Sequence, residues 1–254
     1  MSGHSKWATT KHKKAAADAK RSSLFSKHSR NITVAAKMGG DPNPDNNAGL
    51  AAAIARARMD SMPNAKIKSA IDKAFGSGSN AAVYENVVYE GYGPAGVAVY
   101  VECLTDNKNR TAADVRSAFS HSGGNLGTSG SVAFQFERKG RIAVEKEKMP
   151  NEDDFMMAVA EAEGDDYEDA GDDWVVWTSY DQLGNVVKAL ENAGIEVKGS
   201  ELTMEPTTPT DVDVNDAKKV MRLVEKLDDL DDVQNVYDTM KMTDEIAAAL
   251  AEEE

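Results

Sequence analysis

Residues 83–104 read VYENVVYEGYGPAGVAVYVECL, and this stretch decides the fold of the chain. Two runs rich in β-branched and aromatic residues, Val83–Tyr89 and Val97–Leu104, predict two strands joined as a hairpin. The connection, residues 91–96, matches the G-x-G-x-x-G pattern of dinucleotide-binding folds, but a strand follows it where that fingerprint requires a helix. Pro94 also lacks the backbone N–H that a phosphate would need. We therefore interpret these glycines as a hairpin connection and not as a nucleotide site.

Downstream of the hairpin, helix and strand patterns continue to alternate. The periodicity predicts, in order, a helix at 111–120, strands at 132–136 and 141–145, a helix at 152–163, a strand at 174–179, a helix at 182–193, a strand at 195–204, a helix at 215–227 and a strand at 233–239. This order is typical of ferredoxin-like α+β domains. Because the last helix and strand complete the first set, we predict a domain from 80–138 with 207–241, and a second domain, 139–206, inserted into it.

Upstream of the hairpin, residues 22–75 predict a small helical domain. Its three helices run from Ser22 to Met38, from Ala48 to Met59, and onward from Pro63, a residue favoured at the first helical position. Residues 1–21 hold six Lys and Arg against one Asp and few apolar side chains, which predicts a basic mobile arm. Residues 242–254 form an acidic tail, and its Ala/Glu-rich end from 247 onward is expected to fray.

Charge divides the chain at the end of the helical domain. The 254 residues have a formal net charge of −14. Residues 1–75, however, contain 14 Lys and Arg against 5 Asp and Glu, whereas residues 76–254 contain 15 against 38. This asymmetry favours a basic part that faces nucleic acid, attached to an acidic body. The alternative is that the acidic body only confers solubility and the basic end folds back onto it.

Composition excludes several classes of protein. No apolar stretch of about 18 residues exists, which excludes a transmembrane helix. The first residues, MSGHSKW, lead into lysines, which excludes a secretory signal. The single cysteine, Cys103, excludes an internal disulfide and is expected in a core. We therefore expect a cytoplasmic protein with no membrane partner.

Catalytic and metal-binding signatures are also absent from the sequence. It contains no G-x-S-x-G, H-E-x-x-H or cysteine–histidine motif. The carboxylates at 161–173 do not match an EF-hand loop, and we interpret them as a solvated acidic loop. The competing hypothesis is a metal-dependent hydrolase that uses these carboxylates, which would need a tight divalent site. We predict no enzymatic activity, and no catalytic residue, cofactor or metal.

Two polar loops of the acidic body are each consistent with either a phosphate contact or a structural role. Residues 123–131, GGNLGTSGS, offer many backbone N–H groups that would cradle a phosphate, or they form only a structural turn. Lys108 and Arg110 would reach a phosphate, or they belong to a capped helix start with an exposed ion pair.

The predicted nucleic-acid contacts lie mainly in the arm and the helical domain. Trp7 stands among lysines, where an indole can stack on a base or dock on the protein. The helices carry mainly Lys, Ala and Ser, which favours phosphate contact without base readout. The predicted residues are His4, Lys6, Trp7, Lys11, His12, Lys13, Lys14, Lys20, Arg21, Lys27, Arg30, Lys37, Lys66, Lys73, Lys108 and Arg110.

Several segments, in the correct order, resemble the YebC family. They are GHSKW at 3–7, KHKKAAADAKR at 11–21, YEGYGP at 89–94, LTDNKNRT at 104–111, and GGNLG at 123–127 with GSV at 130–132. The resemblance spans nearly the whole chain and implies an N-terminal helical domain and two α+β domains. Members are commonly described as probable transcriptional regulators that bind DNA. The mitochondrial relatives are translational activators, and bacterial members have been linked to the ribosome, where they ease synthesis through proline runs.

These observations together predict an α+β protein that regulates gene expression without enzymatic activity. We expect a monomer that binds nucleic acid, with DNA as the partner in the transcriptional version. In the translational version, ribosomal RNA and the ribosome take its place. Both versions use the same basic face.

Overall fold

A computed structural model describes residues 18–76 and 84–251, with side chains from residue 24 onward except that of Met59. The described chain is α+β, with eight α-helices and two four-stranded sheets. It divides into two compact units, residues 18–132 with 219–236 and residues 133–218 with 237–251.

The helical part of the first unit contains three helices. They are α1 (Asp18–Gly39), α2 (Ala48–Met59) and α3 (Asn64–Phe75). Phe25, Ile32 and Ala36 lie on one face of α1 and are buried against the apolar faces of α2 and α3, as the helical spacing predicts. Helix α1 begins before the predicted Ser22. Helix α3 begins after Pro63, which is its N-cap residue.

The rest of the first unit is built on a sheet with strand order β3-β1-β2-β8. Strands β1 and β2 pair antiparallel through the predicted hairpin, in which Gly91 lies opposite Val99. The helices α4 and α7 supply the buried apolar side chains Phe119, Leu223 and Leu227. The elements are β1 (Glu85–Tyr92), β2 (Ala98–Thr105), α4 (Lys108–His121), β3 (Asn125–Leu126), α7 (Val214–Asp228) and β8 (Val233–Asp238).

The second sheet has strand order β5-β6-β4-β7 and is inserted between β3 and α7. Phe155, Trp174 and Leu190 are buried in its core, where the rings of Phe155 and Trp174 stack with centroids 5.2 Å apart. The elements are β4 (Phe136–Glu145), α5 (Glu152–Glu161), β5 (Asp166–Asp169), β6 (Asp173–Ser179), α6 (Leu183–Asn192) and β7 (Val197–Pro206). Both α+β parts are ferredoxin-like, with one inserted into the other, as predicted.

Three local predictions were wrong. Residues 132–136 do not form a strand of their own, because Ala133–Gln135 is a 3-10 turn and Phe136 begins β4. The acidic segment expected to be a loop contains β5, which pairs antiparallel with β6. The segment expected to fray, from residue 247 onward, is helical as far as Ala251, because it continues helix α8 (Asp244–Ala251), whose first turn is anchored by the buried Ile246 and by a hydrogen bond from the Ile246 N–H to Thr243 Oγ1.

Candidate nucleic-acid interface

A groove of about 540 Å³ runs between α1 and α3. Thr33 joins the two helices, since its hydroxyl donates a hydrogen bond of 2.9 Å to the carbonyl oxygen of Ala70. The groove is open and has basic and hydroxyl-bearing walls. Its lining residues are Phe25, Ser26, Ser29, Arg30, Thr33, Lys37, Met62, Lys66, Ser69, Lys73 and Tyr84. They include four cations and no carboxylate, although the chain as a whole carries a charge of −14.

Lys37, Lys66 and Lys73 are the accessible cations of this groove. All three side chains are exposed, and within the described part of the chain none has a carboxylate at salt-bridge distance. The Nζ of Lys66 lies 4.8 Å from the centre of the Phe25 ring, which holds the ammonium group over the floor of the groove. An ammonium group without a carboxylate neighbour is available for a phosphate, so the structure brings together three of the predicted contacts.

Lys27 and Arg30 lie on the same helix but contact the α+β part of the first unit. Lys27 Nζ donates to the carbonyl oxygen of Asp228, 2.6 Å away, at the C-terminal end of α7. Arg30 NH1 donates to the carbonyl oxygens of Leu104 and Asp231. Cations at the C-terminal end of a helix satisfy carbonyl groups that have no partner within the helix. Lys27 therefore has a structural contact, and Arg30 both lines the groove and joins α1 to the sheet.

Lys108 and Arg110, the cations of the loop before α4, are paired with carboxylates. Lys108 Nζ lies 2.6 Å from Glu85, and Arg110 NH2 lies 2.9 Å from Asp106 and 2.7 Å from Asp232. Asn107 caps α4 by accepting a hydrogen bond from the Arg110 N–H. This arrangement matches the second interpretation of the loop, a capped helix start with ion pairs.

Asp232 is the buried centre of this network. Its Oδ2 accepts hydrogen bonds from Thr105, Thr111 and Arg110. Burial raises the pKa of Asp232, but these hydrogen bonds lower it by more, so the net pKa lies below the ordinary value of 3.8. The Thr-Asp-Asn-Lys-Asn-Arg-Thr segment at 105–111 thus holds a carboxylate that lies more than a hundred residues away in the sequence.

The glycine-rich loop at 123–131 binds an anion that belongs to the protein itself. The Glu90 side chain is buried, and its two carboxylate oxygens accept hydrogen bonds from the N–H groups of Gly130 (2.7 Å) and Val132 (2.8 Å). The N–H of Gly127 donates to the carbonyl oxygen of Glu90. Because these donors already have acceptors, the structural turn describes this loop better than a phosphate cradle.

The remaining predicted contacts are not described by the structure. His4, Lys6, Trp7, Lys11, His12, Lys13 and Lys14 lie outside the described residues, and so do the side chains of Lys20 and Arg21 on α1. Sequence reasoning missed the hydroxyls of Ser29 and Ser69 and the ring of Tyr84, which also line the groove. Helical spacing would have placed Ser29 on the same face as Thr33, four residues further on, but Tyr84 follows a linker and carries no such signal.

The described His, Cys, Asp and Glu side chains are the ones that bear on metal binding and nucleophilic chemistry. No group of three or more His, Cys, Asp or Glu side chains in these ranges is placed to hold a metal ion. Burial raises the pKa of the Cys103 thiol to about 12, so this buried side chain is an unreactive core residue. His121 is exposed, and its Nδ1 lies 2.8 Å from the carbonyl oxygen of Ser117. Within residues 18–76 and 84–251, each helix is too short or too polar to span a lipid bilayer.

Comparison with known proteins identifies the family. A model of the "TACO1/YebC protein N-terminal domain" matches residues 5–77, and a model of the "TACO1/YebC second and third domain" matches residues 84–240. The chain belongs to the TACO1/YebC family. This confirms the resemblance drawn from the sequence segments.

Relatives within the TACO1/YebC family match along their full length. A "Probable transcriptional regulatory protein" of Bifidobacterium animalis subsp. lactis (strain AD011) is 49% identical over 253 residues, covering 100% of both chains. The "Probable transcriptional regulatory protein YebC" of Escherichia coli O6:H1 is 47% identical over 253 residues, covering 98% of this chain and 100% of the relative. The crystal structure of a conserved hypothetical protein, Aq1575 from Aquifex aeolicus, is 39% identical, with a TM-score of 0.80 over 92% of this chain and 96% of that one. The curated relatives are thus named as regulatory proteins.

Proposed function

We propose that this protein is a non-enzymatic regulator of gene expression that binds nucleic acid through the groove between α1 and α3. One observation carries the proposal. The groove combines four cations with four Ser and Thr side chains and has no carboxylate in its lining, within a protein of strongly acidic composition. Phosphate groups are bound by this combination of Lys, Arg and Ser/Thr donors.

The composition of the groove favours backbone contact over base readout. Asn and Gln, which pair with adenine in a groove of duplex DNA, do not line it. A surface of this kind binds phosphates of DNA or of ribosomal RNA with little sequence preference. The acidic body repels phosphate elsewhere and so restricts binding to the basic face. The names of the relatives support a transcriptional role, whereas the groove supports the translational alternative equally well.

Binding is tested by fluorescence anisotropy with a labelled duplex DNA and a labelled single-stranded RNA over a series of salt concentrations. Replacing Lys37, Lys66 and Lys73 with alanine removes about three phosphate contacts. The slope of log affinity against log salt is then expected to become shallower by about 2.1 for the single strand and about 2.7 for the duplex. Crosslinking in cells, followed by sequencing of the bound nucleic acid, decides between DNA and ribosomal RNA.

The matched control replaces Arg116, Arg138 and Lys188 with alanine. These three cations are exposed, lie outside the groove, and change the net charge by the same amount. The control is expected to retain most of the affinity and an almost unchanged salt slope. Equal losses in the two triple variants would show that only net charge matters and that the groove is not the binding site.

A further inference from the structure

Among the four groove cations, Arg30 is the one that contacts the acidic body within the described residues. Its side chain is only 17% exposed, and NH1 lies 3.2 Å from Asp232 Oδ1 while it donates to two backbone carbonyls. The guanidinium carbon also lies 5.4 Å from the centre of the Tyr84 ring. The helix, the ring and the 228–232 segment therefore fix this guanidinium group in one place.

Within residues 18–76 and 84–251, this arrangement leaves part of the Arg30 guanidinium without a partner. Among the described residues, none accepts a hydrogen bond from Nε or NH2 of Arg30. The side chain lines the basic groove on one side and, on the other, a cavity whose walls include Asp106, Asp229 and Asp231. Because the carboxylates of that cavity disfavour an anion, we expect an anion to reach Arg30 from the side of the groove.

Asp232 supplies the charge that holds Arg30 in this position. Its side chain is only 6% exposed, and Oδ1 makes no hydrogen bond within the described part of the chain, because the N–H groups of NH1 point to the two carbonyls. The pairing with Arg30 is therefore electrostatic. Thr105, Thr111 and Arg110 orient the carboxylate from its other oxygen.

We propose that Asp232 is a positioning residue for nucleic-acid binding, which holds Arg30 so that its remaining N–H donors take one phosphate in the groove. The inference rests on the proposed function. It has an unusual consequence, because it gives an acidic residue a favourable part in binding a polyanion. Removal of a negative charge ordinarily strengthens binding to nucleic acid.

The test compares Asp232→Asn with Asp229→Asn, using the labelled single-stranded RNA and duplex DNA at several salt concentrations. Asp229 lines the same acidic cavity and is exposed, and none of its side-chain atoms pairs with Arg30. Asp229→Asn is expected to leave the affinity unchanged or slightly higher. Asp232→Asn is expected to lower it about tenfold, the lower end for one charge-assisted hydrogen bond. Its salt slope should become shallower by about 0.7 for RNA or 0.9 for DNA.

Two further variants separate positioning from loss of stability. Glu90→Gln makes the same carboxylate-to-amide change at a buried residue that holds the Gly130 and Val132 N–H groups and does not contact Arg30 or Asp232, so it is expected to lower the melting temperature but not the affinity. In the Arg30→Gln background, Asp232→Asn is expected to cause no further loss of affinity, because the group that it positions is gone.

Each outcome of this experiment decides between the two proposals. If Asp232→Asn behaves like Asp229→Asn, or if its effect persists without Arg30, Asp232 has no positioning role while the proposed function stands. If the wild-type protein binds neither probe at low salt, the proposed function fails, and the inference fails with it.

Discussion

Replacing Glu90 with glutamine tests how the glycine-rich loop is held. The buried carboxylate accepts two backbone hydrogen bonds, one on each oxygen, from Gly130 and Val132. Glutamine keeps one acceptor but places an NH2 group against the other N–H. A buried donor left without an acceptor costs about 1–3 kcal/mol, and loss of charge from the remaining bond costs about 1 kcal/mol more. We therefore expect the free energy of unfolding to fall by roughly 2–4 kcal/mol.

Urea unfolding followed by circular dichroism and tryptophan fluorescence measures this change. Glu137→Gln is the matched control, because it replaces the same carboxylate with the same amide on an exposed side chain. The carboxylate of Glu137 is 3.6 Å from the ammonium group of Lys139. The control is expected to shift the free energy by less than about 0.5 kcal/mol. If Glu90→Gln matched the control, the loop would not depend on this carboxylate, and the interpretation of the loop as an internal anion site would be refuted.

Three other predictions concern packing, pH and the arm. Gly91→Ala places a Cβ 2.6 Å from the carbonyl oxygen of Asn125 and 2.7 Å from a ring carbon of Phe119, so overpacking should cost about 1–3 kcal/mol in urea unfolding. The pKa of Asp232 is lowered in the folded protein, so its contribution to stability is present above pH 3.8 and is lost as the pH falls through the lower folded-state value. In Asp232→Asn, the free energy of unfolding should therefore depend less steeply on pH in this acidic range. Trp7→Ala should weaken RNA binding by roughly 5- to 150-fold without lowering the melting temperature, if the indole stacks on a base; a lowered melting temperature would indicate docking instead.

The helices and the hairpin could be predicted from the sequence because each depends on the order of apolar and polar residues within a short segment. Phe25, Ile32 and Ala36 recur at helical spacing in α1, and β-branched residues fill the hairpin strands, so short windows of sequence contain the signal. The hairpin glycines were also interpreted correctly, since β2 follows them.

The strand errors arose where tertiary contacts override local preference. Residues 132–136 have the apolar content of a strand, but the Val132 N–H is held by Glu90 and Phe134 is 72% exposed, so the chain turns there before β4 begins. The sequence of strand β5 is Asp-Tyr-Glu-Asp, in which Tyr167 is the only residue type that is typical of a strand. Its ring packs edge-on against Phe155 and Trp174, which come from other elements and cannot be inferred from a window of four residues.

The cations divide into two groups that residue type alone does not separate. Lys27, Arg30 and Arg110 have carbonyl or carboxylate partners between residues 228 and 232, about 120 to 200 positions away in the sequence. Lys37 and Lys73 have no such partner among the described residues. Summed charge counts both groups alike, although Lys27 and Arg110 already have their partners, and only the second group and the unused donors of Arg30 remain to exchange counterions for phosphates. The long-range pairing of α1 with the 228–232 segment therefore determines which basic side chains of the helical domain remain for a nucleic acid, and it makes an acidic segment outside the groove the support of one groove cation, Arg30.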